Sequence, residues 1–255
     1  MSAASPPGVL VCAGLDPSGG AGLLADAAVA RALGTRPVGV VTALTVQSTA
    51  GVTGCTEVGA ELLLDQLELL LSDVAVGAVK IGMLAGGASA LAIAEALRLT
   101  RAPVVWDPIL APTLGAADLI GGVSASVVAA LAPRLALITP NARELAHLTG
   151  RAGVDGGKRL AAQLGVAVLV KGGHAADAQR SVDVLIHAGG VEELAGPRLP
   201  GGDQVHGTGC ALATAIAAHL ARGAALVDAC REAKAYVAAR IAAPVRPGRG
   251  AAAVV

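Results

Sequence analysis

Residues His206-Gly207-Thr208-Gly209-Cys210 put two glycines, a hydroxyl and a thiol where an apolar helix begins. Leu212, Ile216 and Leu220 recur at i, i+4 and i+8, so that helix has one stripe fit for burial, and Gly223 supplies its left-handed end. Glycines without Cβ admit a ligand against the backbone. The first N–H groups of a helix lack internal partners and carry the positive end of its dipole, which suits a phosphate. A plain Thr-capped helix start would look the same. A second glycine-rich stretch, Asp16-Pro17-Ser18-Gly19-Gly20-Ala21-Gly22, has neither the spacing of a dinucleotide fingerprint nor that of a GxxxxGK[ST] loop. Asp26 follows inside the next helix, either as a solvated face residue or as an acceptor for a ligand amine. Met83, beside Gly82, is core filler or the floor of an apolar pocket. Asp107 precedes a proline, which forces an extended exit and leaves the acid at a strand tip. Asn141 and Glu144 lie three apart at a helix start and share a face; a capping box accounts for that spacing without any ligand.

The elements that must position these groups alternate. Short apolar runs at Gly8–Leu15, Val38–Leu44, Val76–Ile81, Pro103–Trp106, Leu135–Ile138 and Val166–Val170 read as six buried strands. Helical patterns fall at Leu23–Leu33, Glu57–Leu71, Ala88–Leu99, Val123–Leu131, Gly157–Leu164 and Leu226–Ile241. Thr45-Val46-Gln47-Ser48-Thr49 reads as a polar loop, and Ser181–His187 with Val191–Ala195 as an antiparallel hairpin. The expected fold is a three-layer αβα sandwich with a mostly parallel central sheet. No composition break divides residues 1–255, so one domain is expected, with the tail after about residue 243 partly loose. The polar insertions gather at strand ends, where open α/β sheets bind ligands.

Composition removes several classes of function. A chain 54% hydrophobic and 15% charged is not disordered, and 19 basic against 19 acidic residues leave no field to attract nucleic acid. With Trp106, Tyr236 and no phenylalanine, no base-stacking surface exists either. The longest uncharged run, 37–56, is rich in Thr, Ser, Gln and Gly and does not read as a membrane span. No positively charged region precedes the apolar run near the N-terminus and Asp16 soon interrupts it, so a secretory signal is not expected. Four scattered cysteines and five unpaired histidines argue against a disulfide framework or zinc site, and a reducing cytoplasm is expected.

Seven segments occur in order: AGLDPSGGAGLLAD, TALTVQSTAGV, AVKIGML, DPIL, LITPNARELAHLTG, LVKGGH and HGTGCALATAIAA. Together they resemble the hydroxymethylpyrimidine/phosphomethylpyrimidine kinases of thiamine biosynthesis, within the ribokinase-like fold. The resemblance runs from Val9 to about Ile241. It implies that ATP phosphorylates a hydroxymethylpyrimidine and then its monophosphate. Gln47 would hydrogen-bond the aminopyrimidine, with Asp26 and the Gly14 backbone nearby and Met83 against the ring; an amide offers the donor and acceptor that such a ring needs. Asn141 and Glu144 would organise Mg2+ and phosphate through water, with Asp107 nearby, since magnesium needs few protein carboxylates. Lys171 would lie near the nucleotide phosphates. Gly207, Thr208 and Gly209 would form the anion hole for the transferring phosphoryl group. Cys210 stands where many ribokinase-like sugar kinases have an aspartate base. Its thiol, ordinarily near roughly 8.5, would be acidified by the helix N-terminus, or it is a small buried thiol with no chemistry.

The chain departs from the family pattern in two places. Ile109-Leu110 is followed by Ala111-Pro112-Thr113-Leu114-Gly115 without the usual lysine, and Ser48 stands where asparagine is common. The first change puts in doubt a lysine contact to phosphate from that loop, and the stretch 110–117 is a candidate lid. A pyridoxal kinase of the same fold, and a silent pyrimidine-binding protein, are the competing readings. The expected partners are the small-molecule substrates, with no nucleic acid and no membrane. A homodimer is the expected assembly, although no residue pattern specifies it.

Overall fold

The computed structural model describes residues 5–110, 124–172 and 179–255. Val123, Gly173, His174 and residues 111–117 of the candidate lid lie outside the described residues. The strands are β1 (Gly8–Leu15), β2 (Arg36–Ser48), β3 (Gly51–Glu57), β4 (Ala78–Ile81), β5 (Val104–Trp106), β6 (Leu135–Ile138), β7 (Ala167–Val170), β8 (Arg180–His187) and β9 (Gly190–Pro197). They form one sheet in the order β3-β2-β1-β4-β5-β6-β7-β8-β9. From β2 to β7 the pairings are parallel, while β3, β8 and β9 are antiparallel. From β1 the chain goes one way to β2 and returns on the other side at β4. That reversal creates a crevice outside the strand ends, between β1 and β4.

The helices are α1 (Gly22–Ala32), α2 (Ala60–Asp73), α3 (Gly87–Ala96), α4 (Ala125–Leu131), α5 (Ala142–Thr149), α6 (Gly153–Leu164), α7 (Thr208–Ala221) and α8 (Leu226–Ala242). Leu10, Val79, Val104 and Ile138 join one core with α2 to α6, while Val9, Val11, Val105 and Leu137 join another with α1, α7 and α8. Both faces of the parallel strands are therefore covered, which is why their runs are apolar throughout rather than alternating.

Three expectations need correction. α7 is not amphipathic: every residue from Cys210 to Ala218 is buried. Its many alanines let α1 and α8 pack closely on either side, so it fills the middle of its layer. Thr45–Ser48 is not a loop but the end of β2, paired with β3, which was not expected as a strand. The tail after 243 is not loose. Val245 and Ala253 exchange backbone bonds of 2.9 and 2.8 Å, and Ala252, Ala253 and Val254 are buried.

Candidate active site

The strand ends deliver one residue after another to a single cavity of about 980 Å³. Gly14 and Asp16 come from the end of β1, Gln47 from β2, Lys80 and Met83 from β4, Asp107 from β5, Asn141 from β6 and Lys171 from β7. The start of α7 closes the cavity from above the sheet ends. Parallel register is what brings residues so far apart in sequence to one edge.

At one end Gly14, Asp16, Gln47, Met83 and His206 line the wall. A register shift between Val46 and Gln47 marks a bulge in β2, and beyond Leu44 its side chains alternate, with Thr45 and Gln47 turned inward and Val46 outward. Gln47 Nε2 lies 3.2 Å from His206 Nε2, and Gln47 Oε1 lies 3.2 Å from Thr45 Oγ1. The Met83 side chain sits over Gly14, where an added Cβ would meet its methyl at 2.6 Å. Asp16 accepts hydrogen bonds from Ser18 N (2.9 Å), Ser18 Oγ (2.7 Å) and Ala21 N (3.0 Å), and its Oδ2 lies 3.3 Å from His206 Nε2. Burial acts to raise the Asp16 carboxyl, but the bonds from His206 and Ser18 outweigh it and hold the group below its ordinary value.

At the other end is the anion-receptive helix start. Gly207 is the N-cap of α7 with φ +81°, and no side chain caps the helix. Thr208 is therefore not a cap, and the first-turn N–H groups are left for a ligand. Gly207 tolerates no Cβ, because Gly20 O passes against it. An atom added at Gly209 would lie 3.4 Å from Lys171 Nζ and 3.5 Å from Asp107 Oδ2, so these charges flank the helix start.

Lys171 Nζ donates to Asp107 Oδ1 at 2.7 Å and lies 3.5 Å from Glu144 Oε2. Burial alone would lower the lysine, but Asp107 and then Glu144 hold it protonated, above the usual lysine range. One cation between two acids favours the nearer. Burial therefore pushes Glu144 up, against the pull of Lys171 and helped by the charge of Asp107. Asn141 Oδ1 accepts from Arg143 N and Glu144 N, both at 2.9 Å, and Glu144 Oε2 accepts from Asn141 N at 2.7 Å. The capping box is thus present, and it holds Glu144 at the cavity wall.

Two expectations about titratable groups do not hold. Asp26 neither faces solvent nor lines the cavity. It is fully buried behind the wall, where Lys80 Nζ donates to it at 2.5 Å and Thr214 Oγ1 at 2.7 Å. The reason is electrostatic: the buried Lys80 ammonium requires a carboxylate, and Asp26 is the one within reach. Nor is the Cys210 thiol acidified. Burial pushes it up to about 11; Lys80 and a backbone bond from Gly22 pull it down, while Asp26 and Asp107 push it further up.

Lys80, Asp16 and His206 line the cavity, yet their residue types alone assigned them no role. For Lys80 a signal existed, a lone charge inside the apolar strand AVKI. For Asp16 it was the first acid after β1, and for His206 its place beside the glycine pair. At the far end Asp183 accepts from Gly172 N and Lys234 Nζ, each at 2.8 Å, beside the apolar side chains of Leu194, Val237 and Ile241.

A doubly wound sheet whose switch point opens between a recess and an anion-receptive helix start is the architecture of the ribokinase-like small-molecule kinases. A solved pyridoxal kinase from Staphylococcus aureus in complex with pyridoxal superposes with a TM-score of 0.85 at 27% identity, covering 98% of this chain and 93% of that one. A phosphomethylpyrimidine kinase from Clostridium difficile gives 0.74 at 30% identity, over 92% and 99%. A hydroxymethylpyrimidine/phosphomethylpyrimidine kinase from Rhizobium meliloti is 39% identical over 94% of each chain. The family model described as phosphomethylpyrimidine kinase matches residues 16–255. The chain belongs to that family and is a kinase.

Proposed function

We propose that this kinase transfers the γ-phosphoryl group of ATP to the hydroxymethyl oxygen of 4-amino-5-hydroxymethyl-2-methylpyrimidine, then a second one to the monophosphate, for thiamine biosynthesis. The observation that carries the reading is one continuous cavity joining Gln47 and Met83 at one end to the uncapped start of α7. Gln47 supplies the donor and acceptor for the aminopyrimidine, and Met83 over Gly14 supplies an apolar face. The N–H groups of Gly207, Thr208 and Gly209 meet charge on the transferring group. Lys171 exchanges its carboxylate partners for nucleotide phosphate.

Asp107 and Glu144 are hard oxygen donors side by side, and no cluster of three metal-binding side chains exists among the described residues. Two carboxylates with water and phosphate fit Mg2+, which keeps most of its waters. When bound it neutralises phosphate charge. Asn141 holds Glu144 in place through the capping box.

In the transfer, the substrate oxygen forms a bond to phosphorus and the bond from phosphorus to the bridging oxygen of ADP breaks. Cys210, as thiolate, takes the hydroxymethyl proton. In a loose transition state that proton moves late, so an infrequent thiolate still serves. The compartment we propose is the cytoplasm, where this thiol stays reduced. A homodimer is the assembly we carry forward, read by light scattering.

The similarity to a pyridoxal kinase supports one alternative, since pyridoxal is also a small ring bearing a hydroxymethyl group. ATP consumption by the purified protein with hydroxymethylpyrimidine, its phosphate and pyridoxal in parallel decides. Faster turnover of pyridoxal than of both pyrimidines would overturn the reading, and binding without ATP consumption would identify a silent binder.

A further inference from the structure

The side chain of Gln47 has two orientations related by half a turn of its amide, and hydrogen-bond counting separates them. Thr45 Oγ1 has one proton, and the 2.7 Å contact to Leu15 O takes it. Towards Gln47, 3.2 Å away, that hydroxyl is therefore an acceptor and needs an N–H. His206 Nε2 faces Asp16 Oδ2 at 3.3 Å, a carboxylate that can only accept, so Nε2 carries its hydrogen. That one hydrogen is shared in a three-centre bond between Asp16 and Gln47, 3.2 Å away, so on the Gln47 side it too needs an oxygen. Both neighbours ask for the same half-turn, with amide nitrogen on Thr45 and amide oxygen on His206. The opposite orientation sets the amide nitrogen against an N–H and the amide oxygen against a hydroxyl with no proton to give.

His206 is itself held from several sides. Its backbone N–H donates to Ala252 O at 2.7 Å and its carbonyl accepts from Val254 N at 3.3 Å, so the tail fixes it. Its ring lies against Gly20, where an added Cβ would stand 2.9 Å from Cδ2. Asp16 is in turn held by Ser18 and Ala21. The imidazole is a fixed reference rather than an adjustable side chain.

We propose that His206, held by Asp16 and the tail, is a specificity-determining residue that locks the Gln47 amide so that the site accepts a ring nitrogen beside an amine and rejects the oxo ring. The inference rests on the reading of Gln47 as the ring ligand. In the locked orientation the amide N–H meets the ring nitrogen and the amide oxygen meets the exocyclic amine. The oxo counterpart presents the reverse order, an N–H in the ring beside a carbonyl, so donor meets donor and acceptor meets acceptor. A freed amide turns over and takes either ring.

The test compares kcat/KM for the amino substrate with that for its 4-oxo analogue. His206→Phe keeps a ring in the same seat and removes the N–H; His206→Gln restores an N–H. The ratio of amino to oxo substrate is expected to fall at least about tenfold in His206→Phe, the size of one or two lost hydrogen bonds, and to recover in His206→Gln. A general loosening of the site would lower both substrates together and leave the ratio unchanged. ADP affinity by calorimetry verifies that each variant is folded. If Gln47→Ala abolishes the ratio while His206→Phe keeps it within about threefold, Gln47 binds the ring but His206 does not set it, and the proposal is overturned. If Gln47→Ala leaves pyrimidine affinity unchanged, the ring site itself is misplaced and the proposal falls with it.

Discussion

Replacing Lys80 by methionine tests the electrostatics of the cavity wall. Lys80 and Asp26 are both fully buried and 2.5 Å apart, with Thr214 Oγ1 on the other carboxylate oxygen at 2.7 Å. Burial acts to lower the lysine, but the Asp26 charge beside it outweighs burial and holds it above the usual lysine range. Lys80→Met preserves length and volume and leaves the Asp26 carboxylate with one hydroxyl for company. Breaking a buried pair from one side costs about 3–5 kcal/mol. For a domain of this size each kcal/mol moves Tm by about 2–4 °C, so a fall of roughly 6–20 °C is expected.

Removing both charges is a different perturbation. In Lys80→Met with Asp26→Leu no charge is stranded, and such apolar replacements are often neutral or better. The double variant should therefore melt above the single one, a coupling that additive effects cannot produce. Trp106, the one tryptophan and fully buried, reports unfolding by fluorescence in urea or on heating. A single variant melting within about 2 °C of the parent, or a double variant melting below it, would refute the argument. Turnover of the double variant then gives a second reading: a stable protein with depressed kcat would show that the ammonium serves the reaction and not the fold alone.

Cys210→Ser should lower kcat by about 10²–10⁴ with little change in KM, and steady-state kinetics within about threefold of the parent would remove the base from the mechanism. Because the thiol is pushed up to about 11, the parent kcat should keep rising with pH between 7 and 9, and Cys210→Ser should flatten that limb. The Asp16 carboxyl lies below its ordinary 3.8 in the folded protein, so its contribution to stability is fully present above that value and is lost as pH falls through the folded one. Urea melts of Asp16→Asn between pH 5 and pH 3 should accordingly show a shallower loss than the parent. Gly207→Ala forces a Cβ against Gly20 O at positive φ. It should cost about 1–3 kcal/mol and most of the turnover, read by melting and by ATP consumption.

What could be read from the chain followed from what each residue must satisfy. The parallel strands are buried on both faces, so their apolar runs stand out, and β5 and β6 fall within a residue of where the runs place them. The end of β2 was illegible because its pattern is inverted: Gln47 lines the cavity and Thr45 turns in to Leu15 O, while Leu44 and Val46 are exposed. A strand whose polar side faces inward reads as a loop. The tail misled for a similar reason, since prolines and glycines at 244–250 look loose but only lead into Ala252–Val254, which lie against His206. Asp26 carries the sharpest lesson. Its helix gives no hint of its partners, because Lys80 on β4 and Thr214 on α7 stand 54 and 188 residues away.

The two buried lysines divide the work of charge between them. Lys80 has one carboxylate at 2.5 Å and no solvent exposure, so an entering phosphate cannot compete for it without stranding Asp26. Lys171 is 14% exposed and shared unequally between Asp107 at 2.7 Å and Glu144 at 3.5 Å. Its second contact is long, and burial and the Asp107 charge push Glu144 up against the pull of Lys171. On the proposed function, a phosphate arriving at the start of α7 would meet Lys171 beside it while Lys80 stays with Asp26. Lys80 lies beside Cys210, where it lowers the thiol against burial; Lys171 lies beside Gly209, where the transferring group would pass. Placing them the other way round would tie phosphate binding to the stability of the core. Kept apart, the site can fill and empty while the Lys80–Asp26–Thr214 cluster holds α1, β4 and α7 together beneath it.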